Sequence, residues 1–323
     1  MTIRVGIVGY GNLGKGAEAG IKHQEDMELV GVFTRRPGIE TISGAPVYSM
    51  EQLPEFQGKI DVMILCGGSA TDLMEQGPLV AQWFHTIDSF DTHPRIPEYF
   101  EKMDKAAKEN GHAAIISVGW DPGLFSLQRV LAESILPQGK GYTFWGSGVS
   151  QGHSDAIRRI PGVKNAKQYT IPRQEIMEEI RSGGLPDVKG NEAHIRDCYV
   201  VAEEGADKAA IEEAIKTMPN YFVGYETHVT FMEEGEFLEK HSGIPHGGFV
   251  MHSGETENGN NHVYEFSLKL DSNPEFTSSV LLAYARAIVK LAGHGGKGAF
   301  SVLDIPFAWL SAKSPEELRK TML

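Results

Sequence analysis

Apolar and polar positions follow two different rhythms along the chain. Through residues 1–117, short and nearly unbroken apolar runs ("IRVGIVG", "MELVGVF", "IDVMILC", "HTIDSF" and "HAAIISVG") alternate with segments of helical period. The helical segments are Leu13 to Gln24, "ATDLMEQGPLVAQWF" and "IPEYFEKMDKAAKENG". Strands apolar on both faces and separated by helices predict a parallel sheet with helices on each side. Gly77-Pro78 predicts a break in the second helix, and Gly111 predicts the stop of the third. The expectation is a doubly wound, Rossmann-like domain over residues 1–118. Such sheets bind ligands beyond the C-terminal ends of their strands.

From about Gly119 the rhythm changes. "GLFSLQRVLAESIL" predicts a helix at a domain junction. Period-2 segments follow ("YTFWG", "AKQYTI", "IRDCYVVA", "YETHVTFM" and "HVYEFSLKL"), with two polar helices among them, "RQEIMEEIRSG" and "DKAAIEEAIKTM". This predicts a second, α+β domain over 119–273 with a mixed or antiparallel sheet, one face solvated or covered by a partner. "WGSGVSQGHSD", "IPHGGF" and "GETENGNN" read as polar, glycine-rich connections. Residues 274–323 begin with a long helix, "PEFTSSVLLAYARAIVKLAG", and end in "SPEELRKTML", where Ser314 and Pro315 predict a helix start. This C-terminal segment is expected to pack back on the first domain.

Composition narrows the classes of function. The 323 residues are 41 % hydrophobic and 23 % charged, ordinary for a globular chain. The formal charge of −13 argues against nucleic-acid and anionic-membrane partners. No run approaches the roughly 20 apolar residues of a membrane span. The first strand begins almost at the first residue, with no signal peptide, so the expected location is cytoplasmic. Cys66 and Cys198 are too few for a disulfide framework or a zinc site, and no metal is expected.

The chemistry begins at "GYGNLG", Gly9 to Gly14, which joins the first strand to the first helix. In that context G-x-G-x-x-G is a dinucleotide-binding turn. Gly9 allows the turn, Gly11 lets backbone approach a pyrophosphate, and Gly14 lets helix and strand close up. Tyr10, Asn12 and Leu13 fill the rest of the loop. About 20 residues on, an NAD enzyme keeps an acid for the ribose 2′-hydroxyl. Here the second strand ends in Thr34, Arg35 and Arg36. Arginines pair with a 2′-phosphate through charge-assisted bonds, so the expected cofactor is NADP(H). The third strand ends at Cys66 and Gly67, and Ser69 and Thr71 either touch the cofactor or cap the next helix. Asp88 and Asp91 after one strand, and Asp121 after another, suit an ammonium group or acid–base work on an amine.

Taken together, "GYGNLG", "TRR", "GSATD", "GWDPG", "FWGSGVSQGHSDAIRRIPGV", "MPNYFVGYE", "PHGG" and "LKLDSNPEF" make the chain resemble the meso-diaminopimelate D-dehydrogenases, from the first strand to about residue 276. The long middle motif is the most specific. The resemblance implies a homodimeric, NADP-dependent oxidative deamination at the D-centre of meso-2,6-diaminopimelate. The products are L-2-amino-6-oxopimelate and ammonia, and the reverse reaction feeds lysine synthesis. It implies Asp91 and Asp121 as the carboxylates at the reacting centre, with Trp120, Trp145, Gln151 and Gly152 around it. Thr170, Arg196, His246 and Asn273 are implied at the distal L-centre. From the residues alone, Thr170 and Arg196 equally suit a solvated sheet face, His246 a turn, and Asn273 a helix cap. Two other classes remain open: another NADP oxidoreductase acting on a related intermediate, and a non-catalytic NADP-binding sensor.

Overall fold

A computed structural model describes residues 2–323. In chain order the first elements are β1 (Ile3–Val8), α1 (Asn12–Ile21), β2 (Met27–Phe33), β3 (Val47–Tyr48), β4 (Val62–Leu65), α2 (Leu73–Val80), β5 (Thr86–Asp88), α3 (Ile96–Glu109) and β6 (Ala113–Ile115). Then come α4 (Leu124–Ile135), β7 (Lys140–Trp145), β8 (Gly148–Val149), α5 (Gln151–Arg158), β9 (Val163–Pro172), α6 (Gln174–Arg181) and β10 (His194–Ala202). The rest are α7 (Lys208–Lys216), β11 (Glu226–Phe231), α8 (Glu234–His241), β12 (His246–Thr256), β13 (Asn260–Leu270), α9 (Asn273–Gly293), β14 (Gly298–Phe300) and α10 (Pro315–Met322).

The chain divides into two compact units. One holds Met1–Leu127 and Pro274–Leu323, the other Gln128–Asn273. By compactness, the first crossing falls inside α4.

Seven parallel strands form the sheet of the first unit, in the order β14-β6-β5-β4-β1-β2-β3. Val5, Ile7, Val62, Ile64, Ile87 and Ile115 are buried in it, the all-apolar pattern of strands covered on both faces. One core layer adds the buried face of α9 (Leu281, Tyr284, Ala285 and Ile288). The other gathers Phe33, Leu65, Leu73, Val80, Phe90, Tyr99 and Met103 beneath α2 and α3. The break expected at Gly77-Pro78 does not occur there: α2 runs to Val80. Burial of Leu73, Gly77 and Val80 holds it through the proline.

The membrane expectation needs one correction. Helix α9 is long and apolar enough to span a bilayer, with mean hydropathy 1.2 over an 18-residue window. It is nonetheless a core helix, because 56 % of that window is buried inside the protein. It also carries Arg286, which is buried and paired with Asp26.

The second unit has two sheets rather than one. A mixed four-stranded sheet runs β11-β10-β9-β8, and an antiparallel three-stranded sheet runs β13-β12-β7. All three expected connections contain regular elements. "WGSGVSQGHSD" contains β8 and α5, which starts at Ser150, whose hydroxyl accepts the His153 N–H. "IPHGGF" and the start of "GETENGNN" belong to β12, the central strand of its sheet, paired along its length with β13 and over six residues with β7. Glycines and polar residues hide a strand from a periodicity reading when neighbours on both edges supply the order.

Candidate functional site

In the first unit, β1 runs straight into the glycine loop. Gly9 holds φ +90°, a conformation that only glycine adopts at little cost. A Cβ on Gly14 would lie 2.3 Å from the Gly9 carbonyl oxygen, so the helix can sit this close to the strand only with glycine there. Gly11 is the N-cap of α1, and nothing lies within 4 Å of where its Cβ would be. Free backbone N–H groups and open space at a helix start suit a phosphate.

A cleft of about 260 Å³ opens at these strand ends. Gly9, Tyr10, Gly11, Thr34, Arg35, Arg36, Cys66 and Gly67 line it, as the sequence predicts. Phe33, Met50, Gly68, Asp72 and Gln76 complete it. The Gln76 Oε1 is buried without a partner, an unmet acceptor in the cleft wall. Thr34 Oγ1 accepts the Arg36 N–H at 3.2 Å. The Arg36 guanidinium donates to the Tyr10 carbonyl, and the Arg35 guanidinium donates to the Asp72 carboxylate. Burial pushes the Cys66 thiol up to about 12, so it is an inert wall group at neutral pH. These residues fit a dinucleotide with a charged group beside the arginines.

Five predicted cofactor residues do not line this cleft; one is Gly14, which serves the close approach of helix and strand instead. Asn12 and Leu13 open α1, and Leu13 packs against the core while its carbonyl accepts the Ser278 hydroxyl. Ser69 and Thr71 neither cap α2 nor reach the cleft. The cap residue is Asp72; Thr71 donates to it at 3.1 Å, and Ser69 Oγ accepts the Asp91 N–H at 3.1 Å.

The buried loop chemistry is equally specific. Tyr10 donates its hydroxyl to Glu18, a buried acid that also accepts N–H groups from Ile42 and Ser43. Burial raises the Glu18 pKa, but the bonds from Ser43, Tyr10 and Ile42 outweigh it and hold the acid below its ordinary value. Glu18 thereby ties the glycine loop to the segment that follows Arg35 and Arg36.

At the ends of β5 and β6 stand the predicted carboxylates. Asp91 is exposed and Asp121 half-buried. Trp120 is buried, its ring edge-on to Phe125 at 5.2 Å. Asp88 is different: it is fully buried, so it cannot meet a substrate amine. It accepts the Phe90 N–H at 2.9 Å, the Ser117 N–H at 3.2 Å and the Tyr99 hydroxyl at 2.8 Å. Burial pushes its pKa up to about 6 against these bonds. Its role is to join the segments that lead to Asp91 and Asp121.

In the second unit, Thr170 on β9 and Arg196 on β10 are cross-strand partners. Both are buried, not solvated as the sheet-face reading allowed. Arg196 Nη1 donates to Thr170 Oγ1, and its guanidinium stacks 4.2 Å above the Tyr225 ring. Its Nε is buried with no partner among the described residues. Burial lowers the Arg196 pKa, with Tyr225 opposing. His153 and His194 are both pushed down to about 4, chiefly by burial and further by the Arg196 charge. They are neutral imidazoles at neutral pH.

Gly148 on β8 pairs with Thr170, and its missing side chain leaves room for His246, whose Nδ1 would be 2.5 Å from a Cβ there. That ring nitrogen also accepts the Gly247 N–H at 2.8 Å. Trp145 ends β7 half-exposed, its N–H donating to His194 Nε2 at 2.9 Å. Gln151 and Gly152 are exposed at the start of α5, and Ser150 there donates its N–H to Gln168 at 3.0 Å. Asn273 opens α9 and donates its N–H to Ile244 at 3.2 Å. The sequence reading missed His153, Gln168 and Tyr225. Each left a signal: His153 and Tyr225 lie inside "FWGSGVSQGHSDAIRRIPGV" and "MPNYFVGYE", and Gln168 lies two residues from Thr170, on the same face of β9.

A glycine-loop cleft on a parallel sheet, joined in one chain to a buried arginine cluster in an α+β unit, defines a two-domain dinucleotide-dependent dehydrogenase. Residues 119–272 match the family model described as the diaminopimelic acid dehydrogenase C-terminal domain. The meso-diaminopimelate D-dehydrogenase of Ureibacillus thermosphaericus is 60 % identical over 99 % of both chains. That of Corynebacterium glutamicum is 47 % identical over 98 % of both. The chain belongs to the meso-diaminopimelate D-dehydrogenase family. Among solved structures, the C. glutamicum enzyme in complex with DAP matches over the full length of both chains at 46 % identity and a TM-score of 0.92. An engineered D-amino acid dehydrogenase bound to NADP+ matches over the full length of both at 44 % identity and 0.87.

Proposed function

We propose that this enzyme oxidises the D-centre of meso-2,6-diaminopimelate with NADP to an imine, which water hydrolyses to L-2-amino-6-oxopimelate and ammonia, and that it runs in reverse as a reductive amination. The observation that carries the substrate reading is the buried Arg196 with its unpartnered Nε, set beside Thr170. A buried guanidinium N–H without an acceptor calls for an anion, and the substrate brings two carboxylates. Arg196 takes the distal carboxylate, while Thr170, His246 and Asn273 supply further hydrogen-bonding groups. A further observation supports this set. A Clostridium tetani relative, 56 % identical and described with DAP, was altered at a glutamine, threonine, arginine, proline, histidine and asparagine. Their successive spacings of 19, 26, 49, 1 and 27 residues equal those from Gln151 through Thr170, Arg196, Pro245 and His246 to Asn273.

The bound nicotinamide supplies the acceptor for two electrons and a proton. The chain's own residues do the rest. Arg35, Arg36 and Thr34 hold the ribose 2′-phosphate, and the start of α1 holds the pyrophosphate. Asp91 and Asp121 meet the reacting ammonium, and Asp121, or water held by it, takes its proton. Trp120, Trp145, Gln151 and Gly152 bound the reacting end. We also read the enzyme as a homodimer. In the second unit Val130, Leu131 and Ile135 of α4 are 44–59 % exposed, an apolar stripe that suits a covering copy.

The test is product formation. With meso-diaminopimelate and NADP, ammonia, the oxo acid and reduced cofactor should appear in equal amounts. Asp121→Ala should lower kcat at least a hundredfold, the scale of a lost acid–base group. Near-normal turnover of that variant would remove the role given to Asp121.

A further inference from the structure

Asp72 was no part of the sequence-based site, yet it stands in the cofactor cleft opposite Arg35. It follows β4 and precedes α2, so its backbone belongs to a different crossover from the arginines. Its carboxylate is fixed from its own side: Oδ2 accepts the Gly68 N–H at 3.0 Å and the Thr71 hydroxyl at 3.1 Å. The remaining oxygen accepts Arg35. The two partners differ in freedom. The Asp72 side chain is 19 % exposed and Arg35 is 70 % exposed. The acid is an anchored post, and the arginine is the movable arm. Arg36 is held differently, by the neutral Tyr10 carbonyl.

We propose that Asp72 sets the strength of cofactor discrimination, because its carboxylate competes with the ribose 2′-phosphate for the Arg35 guanidinium. This rests on the NADP reading above. A phosphate that recruits Arg35 must draw it from an existing ion pair. A cofactor with a 2′-hydroxyl leaves that pair intact. The carboxylate therefore weakens binding of the phosphorylated ligand while leaving the other unchanged. Arg36, bound to a neutral acceptor, can turn to a phosphate at lower cost. The two arginines are consequently unequal, with Arg36 the freer contributor. The bonds from Gly68, Arg35 and Thr71 keep Asp72 ionised against its burial, below the usual carboxylate range.

Calorimetric titration of the full chain with adenosine 2′,5′-bisphosphate and with adenosine 5′-monophosphate tests this without any turnover. Asp72→Asn keeps an oxygen for the Gly68 N–H, and its melting temperature checks the fold. It should bind the bisphosphate roughly two- to fivefold tighter, the scale of an exposed ion pair. Binding of the monophosphate should stay within about twofold on that same scale. The gain should shrink at high salt and vanish when Arg35→Ala is already present. Unchanged or weaker bisphosphate binding by Asp72→Asn would overturn the competition, as would a gain that persists without Arg35. Wild-type protein that binds both probes equally would overturn the NADP reading itself, and the role of Asp72 with it.

Discussion

Arg196 faces Thr170 across the β9–β10 pairing and donates one guanidinium N–H to its hydroxyl, while its Nε–H has no acceptor. Tyr225 lies flat beneath it. An arginine so buried and incompletely bonded is a binding group waiting for an anion.

Replacing it with methionine keeps much of the volume and removes the donors. Arg196→Met should raise KM for diaminopimelate roughly ten- to a hundredfold, the worth of a hydrogen bond to a charged group. Cofactor affinity should not move. Steady-state kinetics beside a cofactor titration distinguish this from a general loss of fold.

The arginines after β2 predict a different split. Arg35→Ser with Arg36→Ser should weaken NADP binding by roughly ten- to a hundredfold on the same scale. NAD binding should change little, because neither side chain is needed by a 2′-hydroxyl. Equal losses for the two cofactors, read by titration, would make the pair a surface turn.

Asp88 gives a pH-dependent signature. Its folded pKa is raised from 3.8 to about 6. The folded state therefore holds the proton more tightly than the unfolded state. That favours folding below about pH 4 and is lost as pH rises through 6. The stability of wild type relative to Asp88→Asn should fall across this window by up to about 3 kcal/mol. Chemical denaturation at pH 4 and pH 7 reads the difference, and a constant gap would count against it.

The Asp26–Arg286 pair gives the opposite sign. Bonding to Arg286 is the main reason that Asp26 sits below its ordinary 3.8. Its contribution is present above that value and lost as pH falls through the lowered folded pKa. Asp26→Ala leaves buried Arg286 without its ion partner and should destabilise by about 3 kcal/mol at neutral pH. Much of that difference should disappear in strong acid. Denaturant titrations at both pH values check it.

Five strands of the parallel sheet were legible because they read as apolar runs; β3 and β14, of two and three residues at its edges, were not. The glycine loop was legible because its geometry admits few other residues, as Gly9 and Gly14 show. Strand β12 and helix α5 were not, since glycine and polar residues carry them and pairing or capping supplies their order. The arginines at the end of β2 could be read from spacing alone. Asp72 was not singled out, although it ends the quoted "GSATD", because an acid just before a helix reads as a cap rather than as a partner for Arg35. For Ser69 and Thr71 the reading left cofactor contact and helix capping open; the cap position falls to Asp72, while Ser69 bonds the Asp91 N–H and Thr71 the Asp72 carboxylate. For Thr170 and Arg196, periodicity could not tell a buried face from a solvated one. That choice depends on what packs against that face, as Tyr225 does on Arg196.

The central claim is that the D-centre of meso-diaminopimelate is the carbon oxidised, with NADP as acceptor. Substrate carrying deuterium at that α-carbon, mixed with enzyme and NADP in a single turnover, tests it directly. Mass spectrometry should find the label on the reduced cofactor and absent from the oxo acid, with a far smaller yield when NAD replaces NADP. Deuterium retained in the product, or no reduced NADP at all, would contradict the account.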